Sequence, residues 1–424
     1  MLPWRGWSMA PRVPPGPLPE MVTSAFRAEL GGPEAYANPA VAALFAGRGE
    51  GAAFLRALGT GGMAEMKSVV IWAGTEPVAA ASLLWLPFDL VADAPRLQPA
   101  IYRLRKFRAR TGYLRLCGLG GLHTGEPQIV ISGRLDPAGR DAAFNALIDV
   151  AEAEAGRRRA HFHYMMNIGT ADATWIGPLM RARGYFPMEG LPMPWQHLPF
   201  ATIEDYFASR HSKSRLNLKK TLARAREAIA VSETSTVDAD LEAELDRLAL
   251  SMHEHARSKL GGVELFPPGF HRRMAELGQV RILLYRLAGR LVGFGYLIEE
   301  DEVCFGKTMG LSWPEATEYN LIHFNLFCSI EATIRRGGKW LVLGEGGYPT
   351  KLRFGAGLVR RTTYIKGRGI AGPLLPLASG RLDDFNPARQ WPEVVDPANY
   401  YDADPARLPP PVKRIWTPNP EQAG

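Results

Sequence analysis

The residues best suited to chemistry lie in a glycine-rich stretch that begins at residue 344. It contains one carboxylate, one phenol and two cations, in the order Gly344, Glu345, Gly346, Gly347, Tyr348, Lys351 and Arg353. Glycines let a backbone approach a ligand closely, and a carboxylate or a phenol can exchange protons with it. The spacing matches neither the P-loop nor the dinucleotide-binding fingerprint, since no Ser or Thr follows the lysine in the required order. The stretch therefore predicts a ligand site of another kind.

A second candidate is the basic stretch from residue 211 to 228. It holds six Lys or Arg and one Glu, a net charge of +5 out of +7 for the whole chain. At about 100° per residue the apolar side chains share one helix face, and they are Leu218, Leu222, Ala225 and Ile229. The cations occupy the remaining circumference, as Lys213, Arg215, Lys219, Lys220, Arg224 and Arg226. This helix is either a solvated surface or an anion site, and the lack of interleaved Glu favours the anion site.

The glycine-rich stretch depends for its position on the elements that precede it. Residues 280–287, 291–298 and 303–309 are β-rich and joined by short turns, which predicts an antiparallel meander. An apolar-periodic helix at about 317–336 should end in a left-handed cap at Gly337 and Gly338. The short strand 340–343 then has to lie parallel to the third strand. Ligands of α/β folds bind at the carboxyl ends of such parallel strands.

The earlier half of the chain contains a looser copy of the same order of elements. Its strands are expected at 68–72, 78–85, 128–132 and 161–167, with a helix at 136–155 before the last one. Two copies predict an α/β fold with mixed sheets, built from two tandem units with Pro-rich termini. The expected divisions are a Pro-rich arm and helical lead-in (1–60), a first unit (61–205), the basic helix with a second unit (206–370), and a Pro-rich tail (371–424).

Two motifs give the duplicated unit a resemblance to a known family. The basic helix contains R-x-N-x-x-K at Arg215, Asn217 and Lys220, and the later stretch contains K-x-x-F-G from Lys351 to Gly355. In this order and separation they resemble the double-GNAT acyltransferases, which include the Fem-type aminoacyl-tRNA-dependent transferases and related bacterial N-acyltransferases. The resemblance covers roughly residues 66–368 and is clearest from Phe207 onward.

The resemblance implies an N-acyltransferase that moves an acyl or aminoacyl group from an activated donor to a small-molecule amine, forming an amide. Lys351 would then supply positive charge to the donor or to the oxyanion, Glu345 would accept a proton, and Tyr348 would donate one. The expected substrate-binding residues are Arg215, Asn217, Lys219, Lys220, Arg224, His323 and Arg353. If the segment after Lys351 is extended, Arg353 faces the same side, whereas Phe354 is expected in the core.

The donor is either an acyl-coenzyme A or an aminoacyl-tRNA, bound as a co-substrate with no tightly held cofactor. Single-domain GNAT enzymes hold the coenzyme A pyrophosphate on a Gln/Arg-x-x-Gly-x-Gly/Ala loop. The corresponding stretches here, residues 309–315 and 132–139, do not match it, which favours a larger polyanionic donor such as tRNA. The alternative function is a non-catalytic tRNA- or RNA-binding module on a degenerate GNAT scaffold. It predicts salt-dependent RNA binding through the basic helix without a reaction.

Composition excludes several other classes. The 424 residues are 46% hydrophobic and 22% charged, as in soluble globular proteins. No stretch is long and apolar enough for a membrane span. The three cysteines form no Cys-x-x-Cys pair, and the histidine pairs 161/163 and 253/255 lack a third ligand, so neither a disulfide framework nor a metal site is expected. A reducing, cytoplasmic location follows as an expectation, and the sequence leaves the oligomeric state open.

Overall fold

A computed structural model describes residues 21–22, 26–59, 65–89, 98–108, 111–121, 124–260, 266–369, 392–404 and 406–419. Its strands are β1 (Met21–Val22), β2 (Arg27–Gly31), β3 (Glu65–Ala73), β4 (Glu76–Asp89), β5 (Tyr113–Leu119), β6 (Ile129–Ile131), β7 (Phe162–Gly169), β8 (Phe186–Glu189), β9 (Met193–His197), β10 (Ile229–Thr234), β11 (Val280–Leu287), β12 (Arg290–Glu300), β13 (Val303–Leu311), β14 (Trp340–Val342), β15 (Gly357–Val359) and β16 (Arg361–Gly367). Its helices are α1 (Pro39–Leu44), α2 (Ala52–Leu58), α3 (Gln98–Arg105), α4 (Pro137–Arg157), α5 (Thr170–Ala182), α6 (Ile203–Ser209), α7 (Ser212–Ala228), α8 (Ala239–Leu260), α9 (Phe270–Ala275), α10 (Glu315–Glu318), α11 (Leu321–Arg335) and α12 (Tyr348–Arg353).

The second sheet contains the predicted meander. Its strand order is β10-β11-β12-β13-β14-β9-β15, with β11, β12 and β13 antiparallel and β14 parallel to β13. Helix α11 makes the crossover, and the chain leaves it through Gly337 at φ +75°, the left-handed conformation expected there. The predicted strand, strand, strand, helix, strand order is therefore confirmed.

Strands β13 and β14 pair over only part of their length. The parallel register joins Val303 to Trp340 and Phe305 to Val342, after which β14 ends while β13 continues to Leu311. The unpaired half of β13 therefore faces a gap in the sheet, which we call the second gap. The glycine-rich residues 344–347, called the glycine loop below, follow β14 directly at the mouth of this gap.

The first sheet has the order β1-β2-β3-β4-β5-β7-β16-β8, and β6 pairs with β4. Its predicted strands and the helix α4 are confirmed, so the mixed α/β class holds for both sheets. The sequence analysis missed β5, which pairs with β4 and lies parallel to β7. Residues 113–119 include Arg115 and lack strict alternation, so the two-residue period that marks a half-buried strand is weak there.

The two sheets exchange strands. Strand β9 comes from the earlier half of the chain, yet it lies between β14 and β15 in the second sheet. Strand β16 comes from the later half and lies between β7 and β8 in the first sheet. The divisions 61–205 and 206–370 therefore follow chain order, whereas each sheet takes one strand from across that boundary.

The basic helix is present as α7. Helix α6 precedes it and begins with a capping box in which Thr202 and Asp205 bond each other's backbone amides. Leu218, Leu222 and Ala225 are buried as predicted, and they pack with α11 in the core on one side of the second sheet. Ile229 is also buried but is the first residue of β10. Helices α8 and α9 contribute to the core on the other face.

The Pro-rich ends are only partly described, and residues 1–20 and 370–391 lie outside the described residues. Residues 392–404 contribute short 3-10 helices that pack beside β15, where Tyr401 donates a hydrogen bond of 3.0 Å to the carbonyl of Trp195. No helix in the described ranges combines the length and the apolar character required to cross a membrane.

Replacing Leu222 by alanine should destabilise the protein by about 2–5 kcal/mol, because its fully buried side chain fills the contact between α7 and the second sheet. The matched control is Leu216→Ala on the same helix, where the residue is 54% exposed and the cost should stay within about 0.5 kcal/mol. Urea unfolding measures both. Equal unfolding midpoints for the two variants would contradict the packing described here.

Candidate functional site

The glycine loop is shaped by two left-handed residues. Gly346 has φ +75° and Gly347 φ +59°, conformations that cost a residue with a Cβ appreciable energy. Gly347 begins α12, and Pro349 occupies an early position where its missing N–H costs nothing. Helix α12 therefore starts at the carboxyl end of β14 and carries Lys351 back over the loop.

Lys351 organises the glycine loop. Its ammonium donates to the carbonyl oxygens of Gly344, of Glu345 at 3.4 Å and of Gly346 at 2.6 Å. Burial of the amine lowers the pKa of Lys351 to about 7, and the neighbouring Glu345 carboxylate acts in the opposite direction. A lysine whose pKa lies near neutrality can change its charge during a reaction.

Glu345 faces an arginine from the other sheet. Its carboxylate accepts a hydrogen bond of 3.1 Å from Arg361, which is buried at the start of β16, and the Glu345 side chain remains 36% exposed. Burial raises the pKa of Glu345, while the cations of Arg361, Lys351 and Lys307 act against this. The partner of Glu345 is therefore supplied by β16, the strand that the later half of the chain contributes to the first sheet.

Two of the predicted roles need correction. Tyr348 is fully buried, and its hydroxyl donates a hydrogen bond of 2.9 Å to the carbonyl of Pro192. Burial raises the pKa of this phenol, so it holds the loop against the segment before β9 and is poorly placed to give a proton to a leaving group. The segment 348–353 is helical, so Arg353 lies about 200° around the helix from Lys351. Arg353 is exposed on another face, whereas Phe354 is in the core as predicted.

A buried ion pair that the sequence analysis missed lies beside the second gap. Lys307, in the unpaired half of β13, contacts the carboxylate of Glu50, which is 0% exposed. Burial and the nearby Arg361 lower the pKa of Lys307. Its position had a signal, a single charge in the apolar strand 303–311. No sequence signal marked Glu50, because it lies in a loop where the residues show neither helix nor strand periodicity.

A loop of the first sheet completes this pair. We call residues 124–128, between β5 and β6, the docking loop. Glu50 accepts hydrogen bonds from the backbone amides of Gly125 at 2.7 Å and Glu126 at 3.1 Å. A Cβ on Gly125 would lie 3.2 Å from Val342 and 3.7 Å from Phe305, the last paired residues of β14 and β13. The docking loop therefore packs where the second gap opens.

The basic helix is tied to α12 but not to the loop itself. Tyr206, just before α7, donates a 2.8 Å hydrogen bond to the carbonyl of Phe354, and Arg210 donates one of 3.4 Å to the same oxygen. Arg224 is paired with Glu318. The predicted residues Asn217, Lys219 and Lys220 are exposed, and Arg215 is partly so. Within the described residues, no ion pair involves Lys213, Arg215, Lys219 or Lys220.

The turn between β13 and α11 is acidic. It contains the short helix α10, whose Glu315 pairs with Arg290 and whose Glu318 pairs with Arg224. Both carboxylates of this turn are therefore compensated by arginine side chains. His323, in the first turn of α11, lies with its ring centre 6.2 Å from that of Phe354, and burial together with Arg353 lowers its pKa.

The arrangement places a carboxylate with a raised pKa and a lysine with a lowered pKa at the mouth of a gap in the sheet. These are the groups that a proton-coupled attack on a carbonyl requires. No cluster of three metal-ligating side chains exists among the residues that the structure describes.

The comparison with protein families agrees with this geometry. Residues 212–352 match the family described as "Acetyltransferase (GNAT) domain", from the start of α7 to α12. The match supports an acyltransferase of GNAT type for this third of the chain, and the internal repeat of strands and helix is present in both sheets. No curated protein matches the sequence.

Several solved structures are similar in overall fold. FemX is 11% identical, with 75% of this chain and 90% of that chain covered and a TM-score of 0.45. L-PGS from Bacillus licheniformis is 13% identical, with coverages of 79% and 92% and a TM-score of 0.46. A tandem GNAT protein from the clavulanic acid biosynthesis pathway is 11% identical, with coverages of 81% and 99% and a TM-score of 0.44.

The Lys351 amine should titrate near pH 7, far below the ordinary lysine value of about 10.4. Below this pH the ammonium is charged and bound to the loop carbonyls, and above it the neutral amine reacts with acylating reagents. Trace acetylation across pH 5.5–10.5, followed by peptide mass spectrometry, measures the midpoint for each lysine.

The Glu345→Gln variant provides the control, because removing the carboxylate removes a group that favours the charged form. The Lys351 midpoint should therefore move to lower pH in this variant. A midpoint near 10 in the unmodified protein, or a shift to higher pH in the variant, would contradict the environment described here.

Proposed function

We propose that this protein transfers an acyl or aminoacyl group from an activated donor to an amine, with the reaction at the mouth of the second gap. The observation that carries the proposal is the position of Glu345 in the glycine loop, with Lys351 of α12 bound to the carbonyls of that loop, directly after the point where β13 and β14 separate. The GNAT match over residues 212–352 supports the reaction class.

In this proposal the amine nitrogen attacks the carbonyl carbon, and the bond from that carbon to the donor's sulfur or ester oxygen breaks. Glu345 accepts the proton that the amine loses, since a carboxylate with a raised pKa is a better base near neutrality, and the same proton then passes to the leaving sulfur or oxygen. Lys351 places positive charge beside the loop, where negative charge develops on the carbonyl oxygen. Arg361 holds the Glu345 carboxylate in position through the 3.1 Å hydrogen bond.

We infer that the donor is an aminoacyl-tRNA in preference to an acyl-coenzyme A. The cations of α7 that lack carboxylate partners form a face suited to a phosphate backbone. Helix α10 occupies the turn where GNAT enzymes hold the coenzyme A pyrophosphate, and residues 309–315 there do not match the glycine pattern of that loop. Arg210 and Tyr206 connect this basic face to α12, so an aminoacyl end bound near α7 has a route to the glycine loop.

The reaction is tested by incubating the protein with either charged tRNA or a mixture of acyl-coenzyme A thioesters, each with a pool of amines. Amide products are detected by mass spectrometry. Glu345→Gln should reduce product formation about 10²–10⁴-fold, because the proton acceptor is lost. The matched control is Glu276→Gln, an exposed carboxylate at the end of α9, which should keep full activity. Consumption of neither donor, or equal activity of the two variants, would reject the proposal.

The tRNA part has its own test in binding. Replacing Lys219 and Lys220 together by alanine should reduce the slope of log affinity against log salt by about 1.4–1.8, since each phosphate contact contributes roughly 0.7–0.9. The control removes two cations elsewhere in the second unit, Arg335 and Lys339, and should leave the slope unchanged. Filter binding of tRNA at several salt concentrations gives the slopes. Binding of tRNA without any product would favour the RNA-binding alternative.

A further inference from the structure

The first sheet contains a counterpart of the second gap. Strand β7 lies parallel to β5 from Leu116 to Leu119, whereas β6 pairs only with β4. In the second sheet, β14 likewise lies parallel to only the first half of β13, residues 303–305, and the second half of β13 is not paired with it. The space beside β6, ahead of α4, is therefore the position that corresponds to the second gap, and we call it the first gap.

The first gap is filled by the chain's own C-terminal segment, residues 412–419. The amide of Ile131 in β6 donates a 2.9 Å hydrogen bond to the carbonyl of Ile415, and Trp416 forms a parallel β-bridge with Ile131. Further along, the amide of Asn419 donates at 3.0 Å to the carbonyl of Gly133. The C-terminal segment thus lies against the end of β6 and is joined to it by one parallel β-bridge.

A buried carboxylate holds the other edge of the segment. Asp172, in the first turn of α5, is 2% exposed. One of its oxygens accepts a 3.0 Å hydrogen bond from the amide of Ile415, and the other accepts one of 3.2 Å from Arg414. The segment is therefore bound on one edge by β6 and on the other by a charged group that water scarcely reaches.

Side-chain packing adds to these backbone contacts. Ile415 is 1% exposed and belongs to the core of the first sheet, and Arg140 of α4 lies over the ring of Trp416 at 4.7 Å. Gly133 has no room for a side chain, since a Cβ there would be 2.2 Å from the carbonyl oxygen of Thr417. The first gap therefore holds an extended peptide whose backbone packs directly against the backbone of Gly133.

The second gap differs in this respect. Beyond Phe305, no β-bridge from the described residues reaches β13 on the side of β14. The two gaps, which both arise where neighbouring strands separate, therefore differ in whether a segment of the described chain forms a β-bridge there.

The basic residues of the C-terminal segment also match the acidic groups that they contact. The Lys413 ammonium pairs with the carboxylate of Glu300, and the Lys413 backbone amide donates a 3.2 Å hydrogen bond to the carboxylate of Glu126.

We propose that residues 412–419 are a built-in peptide occupant of the first gap, and that the gap is a peptide-binding groove when this segment is absent. The occupant is this segment of the chain, recognised as an extended strand with a buried aliphatic anchor at Ile415 and an amide bound to Asp172. The inference concerns a part of the molecule that the proposed reaction does not use.

A truncated chain that ends at Pro410 tests the groove directly. A fluorescein-labelled peptide of residues 411–419 should bind to it with 1:1 stoichiometry in an anisotropy titration. The same peptide carrying Ile415→Asp should bind at least tenfold more weakly, because a carboxylate would enter an apolar site. A peptide with Thr417→Ala, an exposed side chain, serves as the matched control and should bind within twofold of the original. A folded truncated chain that binds no peptide, or binds all three equally, overturns the proposal.

The full-length chain gives a second test that does not depend on the stability of the truncated form. Trypsin should cut after Lys413 and Arg414 at least tenfold more slowly in the unmodified protein than in the Ile415→Asp variant. Thr417→Ala should remain protected like the unmodified protein. Equal cleavage rates in all three would show that the segment is not held in the groove. Neither test uses an acyl donor, so their failure is distinguishable from failure of the proposed reaction.

Discussion

Glu50 and Lys307 are opposite charges buried together, and this contact constrains the parts of the chain around it. A buried carboxylate that lacks hydrogen-bond partners destabilises the folded state. Removing one partner of a buried ion pair lowers the free energy of unfolding by on the order of 3–5 kcal/mol. The backbone amides of Gly125 and Glu126 meet that requirement, which fixes the docking loop of the first sheet against the second. The ion pair therefore determines where the second gap begins, because Gly125 packs on the last paired residues of β13 and β14.

The strand exchange has a similar effect on the glycine loop. Because β16 belongs to the first sheet, Arg361 approaches Glu345 from outside the sheet that carries the loop. Lys351 binds the loop carbonyls from within, and Tyr348 fixes α12 to the segment before β9, the other exchanged strand. The position of Glu345 thus depends on contacts between the two halves of the chain.

The sequence predicted those parts of the fold that depend on local periodicity. The meander, α11 with its glycine end, the buried stripe of α7 and the repeat in the earlier half are all present. The glycine loop follows the carboxyl end of β14 as expected, since glycine spacing is a local signal, while its role as a ligand site stays a prediction. What was missed depends on contacts between distant segments, such as the pairing of Glu50 with Lys307 and the arrival of Arg361 at Glu345. Tyr348 was misjudged because sequence does not show whether a tyrosine beside a loop faces the loop or the core.

The contacts of the C-terminal segment make the two halves of the molecule unequal despite their shared order of elements. In the first sheet the C-terminal segment bonds the amide of Ile131 at the end of β6 and the carbonyl of Gly133 just beyond it, so the chain itself pairs these backbone groups. In the second sheet no β-bridge from the described residues reaches the second half of β13 on the side of β14, and the glycine loop with Glu345 lies at this point. Backbone groups that the chain does not pair itself are those that a ligand can bind with a net gain. The gap between separating strands is therefore filled by the C-terminal segment in the first sheet, whereas in the second sheet the candidate reaction site lies beside it.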